Sequence, residues 1–527
     1  MARVVCSAVS VGAASDTSRP ARVSAPSAVR GPARTTLVVA GLTVLAAALR
    51  FVRIGHQSFW YDEGVTALLV HRSPGAMLRL VPLTELTPPL YYCLAWAWAR
   101  VFGYGEAGLR SLSALAGVAT VPALYGAAAT LVSKRAGLIA AALASCSPLL
   151  IWYSQEARSY SVLVLLATLS LLAFAHVRSE PTPRWLCAWA LTAGLTLATH
   201  YYGILIVVPE ALWLLGAHRR ERKVLLAVAA VGAFGLALLP IAISQKTRAG
   251  WIAAWPLDQR LSQIAPQFLL GTGAPARTWL KLAGVPAVLL AATLLATRAD
   301  ASERRGALVA GGLAAGGLLL GLGLVLAGVD DVITRNLIVL LIPLIVLLAG
   351  GLGVRRAGAL GVIGAATLCT IGLVAAIGVA VDPNLQRPDW RAVAAAIGTR
   401  RPAGAGRAIL IQRNGGLLPL AIYMPRLEYF KQRAAHMDKL DVIAMSDPPN
   451  GWFCWWGSAC NLSPSELDTS IHVPGFRRDG PVLRVNQFSI LRLRSSTLVG
   501  LTPQAVTRAL TKSALRRDAL LVQPPAG

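Results

Sequence analysis

"GALGVIGAATLCTIGLVAAIGVAV", Gly358 to Val381, runs without a charged side chain. As a helix it would extend about 36 Å at 1.5 Å per residue, and a hydrocarbon core is about 30 Å thick. "LIAAALASCSPLLIW", from Leu138, reads the same way, and apolar runs of about 17–23 residues recur along the chain. A soluble protein of 527 residues would place its apolar side chains in periodic stripes, not in unbroken runs. With 55% hydrophobic residues, 14% charged residues and a mean hydropathy of +0.59, the chain reads as an all-α polytopic membrane bundle.

The net charge of +26 is placed in short clusters between the apolar runs: Lys134-Arg135, Arg219 to Lys223, Arg304-Arg305 and Arg355-Arg356. The positive-inside rule expects such clusters in cytoplasmic loops. No basic face organised for groove reading or base stacking appears, so a nucleic-acid partner is not expected. Residues 1–35 are rich in Arg, Ser and Ala and read as a disordered cytoplasmic tail.

Spans are expected near 36–52, 111–131, 137–153, 159–177, 185–200, 203–217, 224–243, 279–297, 306–328, 333–353 and 357–380. That makes about 11, with a range of about 10–13. With the tail inside, every basic cluster also falls inside. The 53–110 segment, "YSQEARSY" (153–160), "HYYG" (200–203), the 244–278 loop and "GVDDVITRN" (328–336) then fall outside. The helix expected between Leu90 and Phe102 covers only about 20 Å, so it should lie at the interface and not cross. The membrane part is assigned to 36–381. Residues 382–527, with more charge and proline, read as a small extracytoplasmic α/β domain with a loose C-terminal end. Cys454 and Cys460, in "WFCWWGSAC", are open to a local disulfide or to two free thiols.

In this topology Asp62, Glu63, Glu85, Glu156 and Arg158 gather at one membrane face, each beside aromatic residues. The outer loops also supply His200, Tyr202, Lys246, Arg248 and Arg335. Arginine suits a phosphate, a carboxylate can take the proton of an attacking hydroxyl, and aromatic faces stack on sugars.

"FWYDEG", "TPPLYY", "YSQEARSY" and "RPDWR" resemble, in order and spacing over about residues 36–400, the motifs of bacterial membrane glycosyltransferases of the C superfamily. The resemblance is to the group related to protein O-mannosyltransferases and the lipid A aminoarabinose transferase. It implies an inverting transfer of one hexose or pentose from a polyprenyl phosphate to a lipid, polysaccharide or protein hydroxyl. It also implies a plasma (inner) membrane enzyme whose active site faces outside the cytoplasm. Carried over by residue, Asp62 is the general base and Glu63 completes the catalytic pair. Glu156, Arg158 and Arg335 bind substrate, with His200 and Tyr202 beside them. No certain cofactor follows; a divalent metal is linked to the position of Glu85, although Thr87 stands directly before Pro88 here.

Plainer readings stand beside these. Asp62 could cap the next helix, Glu63 could support its dipole, and Glu156 with Arg158 could be a structural ion pair. Arg335 could anchor the interface, His200 could be a satisfied interfacial histidine, and Tyr202 a belt aromatic. The rival function is a transporter or lipid flippase, which should place ionisable groups near the bilayer midplane.

Overall fold

The computed structural model describes residues 30–399 and, beyond them, 406–411, 416–430, 435–445, 467, 471–502, 504–506 and 519–524. Residues 1–29 of the expected tail and the Cys454/Cys460 pair lie outside the described residues.

Each expected apolar segment is helical. The helices are Arg30–Phe51, Glu106–Leu131, Lys134–Cys146 with Pro148–Ser154, Tyr160–Ser179, Pro183–Thr199, Ile204–Ala217, Arg222–Ala237 with Leu239–Gln245, Arg277–Arg298, Ala301–Leu326, Leu341–Leu352 and Gly358–Val381. Among the described residues seven helices are long and apolar enough to cross a membrane, or eight if one bent pair is a single span. Shorter helices occupy the expected spans at 185–200, 203–217 and 333–353.

The bent pair turns by 57° between Cys146 and Pro148. Proline has no N–H to continue the ladder, and Ser147 Oγ instead accepts the amide of Leu150, at 3.4 Å. The bend brings the "YSQEARSY" turn beneath the 53–110 segment.

That segment holds three short helices, Tyr61–Val70, Pro74–Thr84 and Leu90–Phe102. The middle one was not anticipated from the sequence. The third is 13 residues long and buries Tyr91, Tyr92, Ala95 and Ala99 on one face. It stops at Gly103, whose φ of 88° favours glycine.

The helices at the far end from this segment pack closely. Arg135 donates to the carbonyls of Arg355 and Gly358, and Glu303 accepts the amide of Arg355, so the basic loops meet at one end. Close approach is set by small residues, as in other membrane bundles. A Cβ on Gly306 would lie 1.8 Å from the carbonyl oxygen of Leu131.

After Asp382 the chain folds into a mixed seven-stranded sheet. Its strands are β1 (Gly406–Ile411), β2 (Glu428–Tyr429), β3 (Ala435–Met445), β4 (Arg477–Arg478), β5 (Leu483–Val485), β6 (Phe488–Leu501) and β7 (Ala519–Gln523). The order is β2-β7-β1-β3-β6-β4, with β5 also on β6. β1 and β3 are parallel, and the other pairs are antiparallel. Helices Trp390–Ile397 and Leu417–Tyr423 cover one face through Trp390, Val393, Ile397 and Leu420. The second of them lies over Gly64, where a Cβ would sit 3.3 Å from Ile422. The sheet is thereby held against the Asp62 helix.

Gly306→Ala should lower the thermal midpoint in detergent, because an overpacked contact costs about 1–3 kcal/mol. Gly312→Ala in the same helix should leave it unchanged, since a Cβ there meets nothing within 4 Å. Equal midpoints for the two variants would contradict this packing.

Candidate active site

The site begins where two neighbouring acids part. Asp62 and Glu63 lie in the first turn of Tyr61–Val70, and successive helical residues project about 100° apart. Trp60 precedes the helix with no side-chain cap, so Asp62 is not its N-cap. The Asp62 carboxylate faces a cavity, where Oδ2 accepts from Arg335 Nη1 at 2.9 Å.

Glu63 turns inward and is fully buried. Oε1 accepts from Arg110 Nε at 2.7 Å and from the Ala157 amide at 2.8 Å, and Oε2 from Arg110 Nη2 at 2.6 Å. Burial works against its charge, but Arg110, aided by Arg387 and the Ala157 amide, holds the carboxyl below its ordinary value. Glu63 does not line the cavity. Grouped with Asp62 as catalytic on its sequence, it points away from the cavity that Asp62 faces, with both oxygens taken.

The 155–159 turn supplies two more groups, and the ion pair considered between Glu156 and Arg158 does not form. Arg158 forks onto Glu85, with Nη1 3.0 Å from Oε1 and Nη2 2.8 Å from Oε2. It also donates to the Asp62 carbonyl, at 3.2 Å. Arg158 and Glu85 both line the cavity.

Both Glu85 oxygens are therefore occupied by a guanidinium. Among the described residues no group of three or more His, Cys, Asp or Glu side chains is placed to hold a metal ion. The residues present do not fit the divalent metal suggested for Glu85.

Glu156 is fully buried and off the cavity, although the sequence suggested a substrate contact. Its Oε2 accepts from Arg387 Nη2 at 3.1 Å, and Arg387 also donates to the Trp152 carbonyl, at 3.1 Å. Burial pushes the Glu156 carboxyl up to about 7; Arg387 opposes this, while Glu63 and Asp62 add to it.

The cavity encloses about 1260 Å³. At its polar end are Asp62, Glu85, Arg158, His200, Tyr202 and Arg335. His200 Nδ1 accepts the Tyr202 amide at 3.1 Å, and its ring lies 5.7 Å from that of Tyr160. The Arg335 guanidinium sits 5.1 Å from the Trp251 ring centre. An apolar arm runs between Ile204–Ala217 and Arg222–Gln245, lined by Val207, Leu212, Val231, Leu236 and Leu239. Leu417, Leu418 and Tyr429 close the cavity from the sheet side.

Several residues escaped the sequence reading. Arg110, a lone cation at the start of an apolar run, carried a signal, because such a charge needs a buried partner. Arg387 stood inside a quoted motif without a role. The spans are also less free of charge than they read: Glu210 is fully buried and accepts from Ser170 Oγ at 2.5 Å and Trp189 Nε1 at 2.9 Å.

The family described as Dolichyl-phosphate-mannose-protein mannosyltransferase matches residues 87–244. No curated protein matches the chain. The apo structure of ArnT from Cupriavidus metallidurans is similar with a TM-score of 0.52 and 14% identity, over 87% of this chain and 98% of that one. The same protein bound to undecaprenyl phosphate gives 0.45 and 12% over the same shares. The S. cerevisiae protein O-mannosyltransferase Pmt1-Pmt2 complex bound to the sugar donor gives 0.31 and 18%, covering 40% of this chain and 32% of that one. This chain thus spans about a third of the yeast protein's length. Family match, motifs and fold point the same way: this chain of membrane-spanning helices is similar to membrane glycosyltransferases of the C superfamily.

Proposed function

We propose that this chain moves one hexose or pentose, with inversion, from a polyprenyl phosphate to an acceptor hydroxyl. The supporting observation is a single cavity that joins a carboxylate, two arginines and an apolar arm between membrane helices. The arm takes the prenyl tail, Arg158 and Arg335 face the phosphate, and Asp62 receives the acceptor. The acceptor is a lipid, polysaccharide or protein. The site faces outside the plasma (inner) membrane, because the basic loops gather at the opposite end of the helices. Eleven spans, counting the shorter helices, and a separate extracytoplasmic sheet domain after residue 381 complete this reading.

In the reaction Asp62 takes the proton of the acceptor hydroxyl. That oxygen bonds to the anomeric carbon from the face opposite the phosphate, and the old carbon–oxygen bond breaks with its electron pair going to the phosphate oxygen. The leaving phosphate is stabilised by arginine, so the base is the group the chemistry most needs. Glu63 and Glu156 act as positioning residues. Glu63 fixes the helix that carries Asp62 through Arg110. Glu156 fixes the turn that carries Arg158 through Arg387. The buried Glu210 is the observation nearest to a transporter, but it is held by Ser170 and Trp189 away from the cavity.

Asp62→Asn should keep the thermal midpoint and lower transfer by about 10²–10⁴-fold, measured in membranes with normal expression. Glu63→Gln should instead unfold more readily, since stranding the buried Arg110 costs about 3–5 kcal/mol. Full transfer activity in Asp62→Asn would remove it as the base.

Arg158→Lys keeps the charge and loses the fork. Binding of a polyprenyl phosphate to purified protein should weaken about tenfold or more, and Arg158→Ala should weaken it further. Unchanged lipid affinity in both would leave Arg158 as a partner of Glu85 alone.

The Glu156 carboxyl is raised from an ordinary 4.5 to about 7, so the folded protein binds its proton more tightly than the unfolded chain. Its contribution to stability is complete below the ordinary value and is lost as pH rises through about 7. The thermal midpoint should fall between about pH 5 and pH 8, and Glu156→Gln should flatten that slope. An identical slope in the variant would refute the linkage.

A further inference from the structure

The two aspartates of "GVDDVITRN" divide their work as Asp62 and Glu63 do. Asp330 is taken at both oxygens by Arg260, at 2.8 and 2.7 Å. Arg260 is buried and also donates to the carbonyls of Val332 and Trp255, at 2.9 and 2.8 Å. This clamp fixes the helix Leu257–Leu270 against the 330–332 segment.

Asp331 is half-buried and lines the cavity. Among the described residues no side chain or amide bonds its carboxylate, while Asn336 Nδ2 holds its main-chain carbonyl at 2.7 Å. Gln263 and Gln267 also line the cavity, one helical turn apart, with Gln267 Nε2 3.1 Å from Gln263 Oε1. Trp251 borders the same space beneath Arg335.

This end of the cavity is unsuited to the other parts of a lipid-linked donor. The phosphate is already placed on Arg158 and Arg335, and burying a carboxylate and two amides against a prenyl chain would leave them without hydrogen bonds. A ring of hydroxyl groups fits: a carboxylate accepts two O–H bonds, and a carboxamide both donates and accepts. Asp331 lies four residues before Arg335, and a donor sugar is bonded directly to the phosphate that Arg335 faces.

We infer that Asp331 and Gln263, held in place by the Arg260–Asp330 clamp, form the subsite for the donor's sugar ring. The inference rests on the proposed polyprenyl-phosphate reading and adds which residues select the sugar. Arg260 and Asp330 are positioning residues; Asp331 and Gln263 touch the hydroxyls.

The test compares binding of decaprenyl phosphate with that of decaprenyl phosphates carrying mannose, glucose or arabinose, using the full chain in detergent. Wild-type protein should bind one glycosylated lipid more tightly than the bare lipid. Asp331→Asn, which keeps size, should reduce that preference about tenfold and leave bare-lipid affinity and thermal midpoint unchanged. Gln263→Leu should act in the same direction with a smaller loss. A preference retained in both variants, a parallel loss for bare and glycosylated lipid, or no preference in the wild type would each overturn the subsite. Wild-type protein that bound decaprenyl phosphate no better than neutral decaprenol would overturn the donor reading itself.

Discussion

A carboxylate with no access to water must find its cation within the protein, and Glu63 is fully buried. Arg110 answers it with two charge-assisted bonds and spends its remaining N–H groups on the carbonyls of Ile54, Gln57 and Ser58, at 3.0, 2.7 and 3.0 Å. The Ala157 amide closes the set. One ion pair thereby ties the exit from the first span, the Asp62 helix, the Glu106–Leu131 helix and the 155–159 turn. Arg158 Nη1 adds a second link between the Asp62 helix and that turn, on the Asp62 carbonyl at 3.2 Å.

The same rule repeats around the site. Asp62 has Arg335, Glu85 has Arg158 and Glu156 has Arg387, each drawn from a segment distant in sequence. Arg387 extends the network into the sheet region, where Ser58 Oγ donates to the Pro388 carbonyl at 3.0 Å and accepts the Trp390 amide at 3.0 Å. Tyr423 accepts the Phe59 amide at 2.7 Å and donates to Glu106 at 2.6 Å. The "RPDWR" motif thus clamps the segment after the membrane bundle onto the acid-bearing loop. Buried pairs of this kind add little net stability; what they supply is register between parts that hydrophobic packing alone would let slide.

Hydropathy made the helices legible, because a span is a local property of the sequence. The short helix Leu90–Phe102 was legible too, by length. Partner choice was not. Glu156 and Arg158 are near neighbours in sequence, which suggested a pair, yet the turn points them apart to Arg387 and Glu85. The division of Asp62 from Glu63 was equally hidden, since either could have faced the cavity until Arg110 claimed one of them. Glu85 looked available to a metal only while its guanidinium partner was unknown. The bend at Pro148 was signalled by the proline, but the loop it would serve was not.

The Asp62–Arg335 pair carries the remaining consequence. In the proposed reaction the donor phosphate and Asp62 draw on the same guanidinium. The donor is a phosphodiester with one negative charge and the departing prenyl phosphate carries two, so the pull on Arg335 away from Asp62 grows as the carbon–oxygen bond breaks. Departure of the product lipid restores the pair. Glu63, bonded at both oxygens and out of reach of the cavity, has no such competitor. In the proposed reaction the two adjacent acids of one helical turn therefore divide, Glu63 held by Arg110 as an anchor and Asp62 paired with a guanidinium that a phosphate can reach.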